Sequence, residues 1–191
     1  MGERVKKKDG KQTDKVYMVI PAYNEAENIY TVVDEWYRIL EKEDVGEESR
    51  LLVIDDGSKD ETFQILNGMK EGRPKLLAVT KPNSGHGATL LYGYRYALKE
   101  GADYIFQTDS DGQTRPEEFR GFWKLRANYD MVIGNRSKRQ DGWTRIFVTK
   151  VLKLAIRVCF GVKVTDANTP FRLMDAKALK KQMKYIPKEF N

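Results

Sequence analysis

Short apolar runs alternate with amphipathic stretches along this chain, and that alternation limits the possible folds more than any other feature. Val16 to Pro21, Leu51 to Asp55, Leu76 to Thr80, Tyr104 to Thr108 and Met131 to Gly134 have the length and composition of buried strands. Helical spacing fills the intervals Glu25 to Glu43, Glu61 to Lys70, Ala88 to Glu100 and Pro116 to Asn128. Pro116 suits a first helical turn, and Gly101 suits a helix end. A longer helix over Thr144 to Phe160 and a short strand over Phe171 to Met174 follow. Strand and helix in turn predict an α/β fold. It is a Rossmann-like, open, mainly parallel sheet with helices on both faces.

Ligands of such sheets bind beyond the carboxyl ends of the strands. Each strand here ends in a polar cluster: Tyr23-Asn24-Glu25, Asp55-Asp56-Gly57-Ser58, Asn83-Ser84-Gly85, Asp109 to Gln113, and Asn135-Arg136. The fourth is the most informative. Asp109, Asp111 and Gln113 are spaced two apart, so in extended chain their side chains share one face. Two carboxylates and an amide oxygen there form a hard-oxygen site suited to Mg²⁺ or Mn²⁺, with coordination left for phosphate. A calcium loop starting at Asp109 would need glycine and glutamate where Thr114 and Arg120 stand. The dinucleotide fingerprint fails at Leu90, and no Gly-Lys-Ser/Thr phosphate loop occurs.

The remaining clusters each admit two meanings. Asp55 to Thr62 serves as a turn and helix cap, with Ser58 or Asp60 capping, or presents an acid to a base or ribose. Pro21 to Glu25 is a strand exit with Asn24 at a helix cap, or part of a nucleotide pocket. Lys81 to Gly87 is a glycine-containing turn, or a place where small side chains such as Gly85 let a nucleotide approach. His86 fits a loop hydrogen-bonder.

Composition narrows the classes further. The 191 residues make one domain of 40% hydrophobic and 32% charged residues, with net charge +6. Met1 to Asp14 is expected to be a flexible basic tail, and residues 15–191 the folded domain. The basic excess suits phosphate ligands or an anionic membrane, and no nucleic-acid motif is present. Cys159, the single cysteine, excludes an internal disulfide and sits in an apolar helical pattern that buries it. A lone histidine excludes multi-histidine metal sites. The sequence has no secretory signal and no apolar run long enough to span a bilayer.

Pro21-Ala22-Tyr23-Asn24-Glu25, Asp55 to Asp60, Asn83 to Gly87 and Asp109 to Gln113 resemble, in order and spacing, the motifs of family 2 glycosyltransferases. The likeness runs from Val16 to Met174. Its Asp-x-Asp-x-Gln form resembles the branch of dolichol-phosphate mannose synthase and bacterial polyprenyl-phosphate glycosyltransferases. The resemblance implies a GT-A fold and an inverting, metal-dependent transferase with a UDP- or GDP-linked sugar donor. It implies that Pro21, Tyr23, Glu25 and Asp56 contact base and ribose. Asp109 would hold donor and metal together, while Asp111 and Gln113 ligate Mg²⁺ or Mn²⁺. On the acceptor side it implies that Arg136, Arg145 and Thr149 meet a polyprenyl phosphate or other acceptor, with Asp166 as the base if the acceptor is a hydroxyl. A solvated basic face would explain those three residues equally well.

The segment Ile146 to Phe160 mixes a basic stripe with apolar residues. It could rest on the cytoplasmic face of a membrane or pack into the core. The Gln-x-x-Arg-Trp string of processive synthases is missing. The chain stops in mid-pattern at Asn191, so the expectation is a domain shortened at its C-terminus. Two rivals remain: a donor-binding module without turnover, and a nucleotidyltransferase. The second usually carries a glycine-rich basic loop where this chain has Pro21 to Glu25.

Overall fold

The computed structural model describes residues 13–134 and 169–186. Six strands form one sheet: β1 (Val16–Ala22), β2 (Arg50–Asp55), β3 (Leu76–Thr80), β4 (Tyr104–Gln107), β5 (Met131–Ile133) and β6 (Arg172–Asp175). Their spatial order is β3-β2-β1-β4-β6-β5. β1 pairs in parallel with both β2 and β4, and β2 pairs in parallel with β3. β6 runs antiparallel between β4 and β5. Five strands therefore point one way, and their carboxyl ends gather at one rim of the sheet.

Among the described residues, five α-helices cover the sheet: α1 (Ile29–Lys42), α2 (Thr62–Gly68), α3 (His86–Lys99), α4 (Phe119–Leu125) and α5 (Ala176–Gln182). Alternate strand residues face opposite ways. Met18, Ile20, Val53 and Phe106 meet α1, α2 and α4. Val19, Leu52, Ile54 and Ile105 meet α3 and α5. Burial on both faces explains why the central strands β1, β2 and β4 are nearly continuous apolar runs. The helices do lie on both faces, as the alternation predicts.

Phe106 is the centre of the larger cluster. Its ring lies 5.2 Å from Trp36, 5.0 Å from Phe119 and 4.8 Å from Phe171. Such pairs add about 0.5–1.5 kcal/mol each beyond the burial of their area. They fix β4, which carries the acidic loop, against α1, α4 and the start of β6.

The structure corrects several boundaries. α1 begins at Ile29 rather than Glu25, because Glu25 to Asn28 form a turn whose Glu25 carbonyl takes the Asn28 and Ile29 amides at 3.0 and 2.8 Å. The expected helix from Pro116 to Asn128 splits into a 3-10 turn, Pro116–Glu118, and the short α4. α5 has no counterpart in the sequence reading. Asp175 caps it by accepting from the Ala178 amide at 2.8 Å. Asp14, placed in the flexible tail from sequence, is tied down: its carboxylate accepts from Arg126 Nε at 2.8 Å. The helix expected over Thr144 to Phe160, with Cys159, lies outside the described residues, as does most of the N-terminal tail.

Candidate active site

A cleft of about 470 Å³ opens at the carboxyl rim, where β1, β2 and β4 end and α3 begins. Pro21 and Ala22 close β1 and form one wall, continued by Tyr23 and Glu25. Asp56 follows β2, Asn83, Gly85 and His86 follow β3, and Asp109 to Asp111 follow β4. The topology thus brings together residues up to 90 positions apart in sequence, from Pro21 to Asp111.

The two loops after β1 and β2 are laced into one unit. The Asn24 amide donates to Ser58 Oγ at 2.9 Å, and Asn24 Oδ1 accepts the Lys59 amide at 2.9 Å. The Glu25 amide donates to Thr62 Oγ1 at 2.8 Å, and the Ala26 amide to Asp60 Oδ2 at 3.1 Å. This overturns three cap assignments. Asn28 and Glu61, not Asn24, Ser58 or Asp60, occupy the N-cap positions of α1 and α2, and neither makes a side-chain cap bond. Asn24 and Ser58 bond the neighbouring loop instead, and Asp60 does both, taking the Ala26 amide across the gap and, with Oδ1, the amide of Thr62 at the start of α2 at 3.0 Å.

The adjacent acids Asp55 and Asp56 do different work. Asp55 is buried and faces the sheet edge, accepting from Thr80 Oγ1 at 2.6 Å and the Ser58 amide at 3.1 Å. Asp56 is also buried but lines the cleft. One of its oxygens takes the Ser84 amide at 3.0 Å and the Lys81 ammonium, and the other takes the Gly85 amide at 2.9 Å. Burial alone would push the Asp56 carboxyl up. Hydrogen bonds from Lys81, Ser84 and Thr89 outweigh burial and hold it below the usual aspartate value. Asp56 therefore clamps the loop from Lys81 to Gly85 against the cleft.

Gly57 makes this closeness possible. It sits at φ +69, and an added Cβ would stand 2.9 Å from the Asn83 amide nitrogen. Only glycine takes that conformation there without strain or collision. Lys81 and Ser84 fell within the loop that the sequence left open between a turn and a nucleotide contact, without a role of their own, and Thr89 was not singled out. No periodic signal marks them; their role comes from a contact 25 or more residues away in the chain for Lys81 and Ser84.

The acidic loop departs from its expected geometry. β4 stops at Gln107, so Asp109 to Gln113 is not an extended chain with one shared face. The loop is pinned at its base by Thr108, whose amide donates to the Val19 carbonyl at 3.2 Å and whose hydroxyl lies 3.0 Å from that of Thr114. Asp109 is half-buried and lines the cleft, with His86 Nε2 3.9 Å from its Oδ1. Asp111 is exposed at the cleft, and one of its oxygens takes the Gln113 amide at 3.0 Å. Gln113 is exposed on the following turn and does not line the cleft. Asp166, Arg136, Arg145 and Thr149 lie outside the described residues.

The chemistry of the donor set fits a divalent ion held jointly with a phosphate. Two carboxylates reach the cleft from one loop. No group of three His, Cys, Asp or Glu side chains among the described residues forms a closed metal site. A Mg²⁺ or Mn²⁺ at Asp109 and Asp111 would complete its shell with phosphate oxygens and water.

The family model described as "Glycosyl transferase family 2" matches residues 17–183. The chain belongs to that family. Polyprenol monophosphomannose synthase of Mycolicibacterium smegmatis is 28% identical over 88% of this chain and 64% of its own length. The undecaprenyl-phosphate 4-deoxy-4-formamido-L-arabinose transferase of Pseudomonas fluorescens Pf-5 is 30% identical over 82% of this chain and 46% of its own. The chain thus spans between about half and two thirds of the curated relatives it matches.

Among solved structures, mannosyl-3-phosphoglycerate synthase of Rubrobacter xylanophilus superposes with TM-score 0.65 at 17% identity, covering 85% of this chain and 54% of that one. Glucosyl-3-phosphoglycerate synthase of Mycobacterium tuberculosis, solved with Mn²⁺ and UDP-glucose, gives 0.63 at 20% identity, covering 86% and 57%. These likenesses establish the GT-A fold. In this family 2 domain the reversed β6 completes the sheet beside the acidic loop. No helix among the described residues is long and apolar enough to cross a membrane.

Proposed function

We propose that this family 2 glycosyltransferase domain, residues 15–191, moves a sugar from a UDP- or GDP-linked donor to a polyprenyl phosphate in a single inverting displacement assisted by Mg²⁺ or Mn²⁺. The observation that carries the proposal is the cleft itself. It joins Tyr23, Glu25 and Asp56 on one side to Asp109 and Asp111 on the other, at the ends of β1, β2 and β4. A base and ribose against the first group would lay the diphosphate along the second.

Bound there, the metal would offset the charge that develops on the departing nucleoside diphosphate. Asp109 and Asp111 supply its protein ligands, with Gln113 able to join once its turn moves inward. The loop clamped by Asp56 keeps Gly85 and the start of α3 close to the donor. A displacement of this kind needs no covalent intermediate on the protein.

A polyprenyl phosphate acceptor is supported by the relatives, a polyprenol monophosphomannose synthase and an undecaprenyl-phosphate 4-deoxy-4-formamido-L-arabinose transferase. A phosphate oxygen is already anionic and needs little help from a base. In this proposal Arg136, Arg145 and Thr149 meet that phosphate, and Asp166 orients them rather than taking a proton. The site of action is the cytoplasmic face of the membrane that holds the lipid.

Titration of UDP- and GDP-linked sugars with and without Mn²⁺ tests the proposal. Metal-dependent binding that Asp111→Ala removes is the expected result. Binding that survives Asp111→Ala unchanged would refute the metal role. Binding without transfer to a polyprenyl phosphate would leave a donor-binding module.

A further inference from the structure

Helix α3 touches the acidic loop at its start and the strand beneath it further along. At the first turn, His86 Nε2 lies 3.9 Å from Asp109 Oδ1. Two turns on, the Tyr94 hydroxyl donates to Gln107 Oε1. Both partners of this second contact are buried, Gln107 at 1% exposure and Tyr94 at 8%. Gln107 is the last residue of β4 and stands two places before Asp109. Nothing in the cleft chemistry uses either residue directly, because neither lines it.

A polar pair held this deep is costly unless satisfied. The helix meets that condition by an unusually close approach. Gly93 sits directly beneath, and a Cβ there would stand 2.5 Å from Val19 Cγ1 and 2.6 Å from Ile54 Cδ1. Its absence lets α3 settle onto β1 and β2, so that the neighbouring Tyr94 reaches the end of β4. Gln107 is held from its other side by register, opposite Arg172 of β6.

We infer, on the footing that Asp109 holds the donor, that Tyr94 and Gln107 are positioning residues: their buried hydrogen bond sets the end of β4 and so aims Asp109 at the metal and diphosphate. The helix that opens the donor loop thereby also fixes the loop that carries the acids, and the two walls of the cleft move as one. Burial pushes the Tyr94 hydroxyl up to about 12, which keeps it a neutral donor throughout the working range. Partners that orient a ligating group commonly change metal affinity by about 10–100-fold when removed.

The test uses the full 191-residue chain and compares affinity for UDP and GDP with and without Mn²⁺. The ratio of the two affinities is the readout. A loosened fold lowers both and leaves the ratio intact, whereas a misaimed Asp109 lowers only the metal-dependent one. Tyr94→Phe and Gln107→Met should each reduce the ratio about tenfold. The double variant should lose no more than either single change, because both remove the same bond. An unchanged ratio in both single variants overturns the assignment, and so does full additivity in the double. A wild-type chain with no Mn²⁺-dependent gain would instead sink the proposed function, leaving the two failures distinguishable.

Discussion

Asn24 and Ser58 join the first two loops of the cleft: the Asn24 amide donates to Ser58 Oγ at 2.9 Å, while Asn24 Oδ1 takes the next amide, that of Lys59, at the same distance. Asn24 holds a left-handed backbone to do this, at φ +54. Asparagine tolerates that region better than other side chains with a Cβ. Asn24→Ala loses both the side-chain bond and that tolerance. It should destabilise the domain by about 1–3 kcal/mol in urea unfolding. Asn24→Gly removes the same side chain but takes positive φ freely, so it should cost less. Equal losses for the two variants would show that the backbone conformation contributes nothing.

Asp56 makes stability depend on acid in a stated direction. Its folded carboxyl lies below the ordinary value, so on acidification the unfolded chain takes up the proton first. Where the unfolded state binds more protons, stability rises with pH. The Asp56 contribution is therefore complete above the unfolded aspartate value of about 3.9 and is lost as pH falls through the lower folded one. Asp56→Asn should cost about 3 kcal/mol at neutral pH, since it leaves the Lys81 ammonium without its carboxylate, with only Ser84 Oγ and the Pro82 carbonyl to accept from it. The gap between wild type and variant should narrow as pH falls below about 3.9 in denaturant titrations. A constant gap across that range would assign the loss to packing rather than charge.

The central strands β1, β2 and β4 were legible because burial on both faces turns each into an apolar run, and the polar clusters were legible because they interrupt those runs. What stayed hidden depends on contacts between distant segments. Asn24 and Asp60 look like helix caps locally, yet they bond across to loops 34 or 35 residues away. β6 gives no sign of its direction. Its four residues have no periodicity that separates a parallel strand from the reversed one inserted between β4 and β5. The shared face drawn through Asp109, Asp111 and Gln113 assumed extended chain, whereas β4 ends at Gln107 and the Asp111 carboxylate folds back onto the Gln113 amide. The residue types were readable; the turn that arranges them was not.

Two helical glycines should respond in opposite ways to the same change. Gly93 faces Val19 and Ile54 with no room for a methyl group, so Gly93→Ala should destabilise by about 1–3 kcal/mol through overpacking. Gly68, the last residue of α2, has nothing within 4 Å of the added Cβ. Gly68→Ala should raise stability by about 0.4–1 kcal/mol, because alanine restricts the unfolded chain. Thermal unfolding of both variants checks the pair. Stabilisation by Gly93→Ala would mean that α3 can retreat without cost, which would also undercut the close approach that brings Tyr94 to Gln107.

Ligand linkage offers a test that needs no acceptor. A nucleoside diphosphate that binds only the folded domain, and only with a divalent ion, should raise the unfolding temperature when both are present and not when either is given alone. At a nucleotide concentration of about 100 Kd the stabilisation is roughly 2.7 kcal/mol. For a domain of this size each kcal/mol shifts the midpoint by about 2–4 °C, so a rise of about 5–11 °C is expected. Excess EDTA should return the midpoint to that of the free protein. Asp111→Ala should abolish the rise while leaving the free midpoint nearly unchanged, because Asp111 is exposed and its one hydrogen bond is local to the turn. A nucleotide-induced rise that persists in EDTA would place the binding energy on the base and ribose side, at Tyr23, Glu25 and Asp56, and would remove the metal from the donor site.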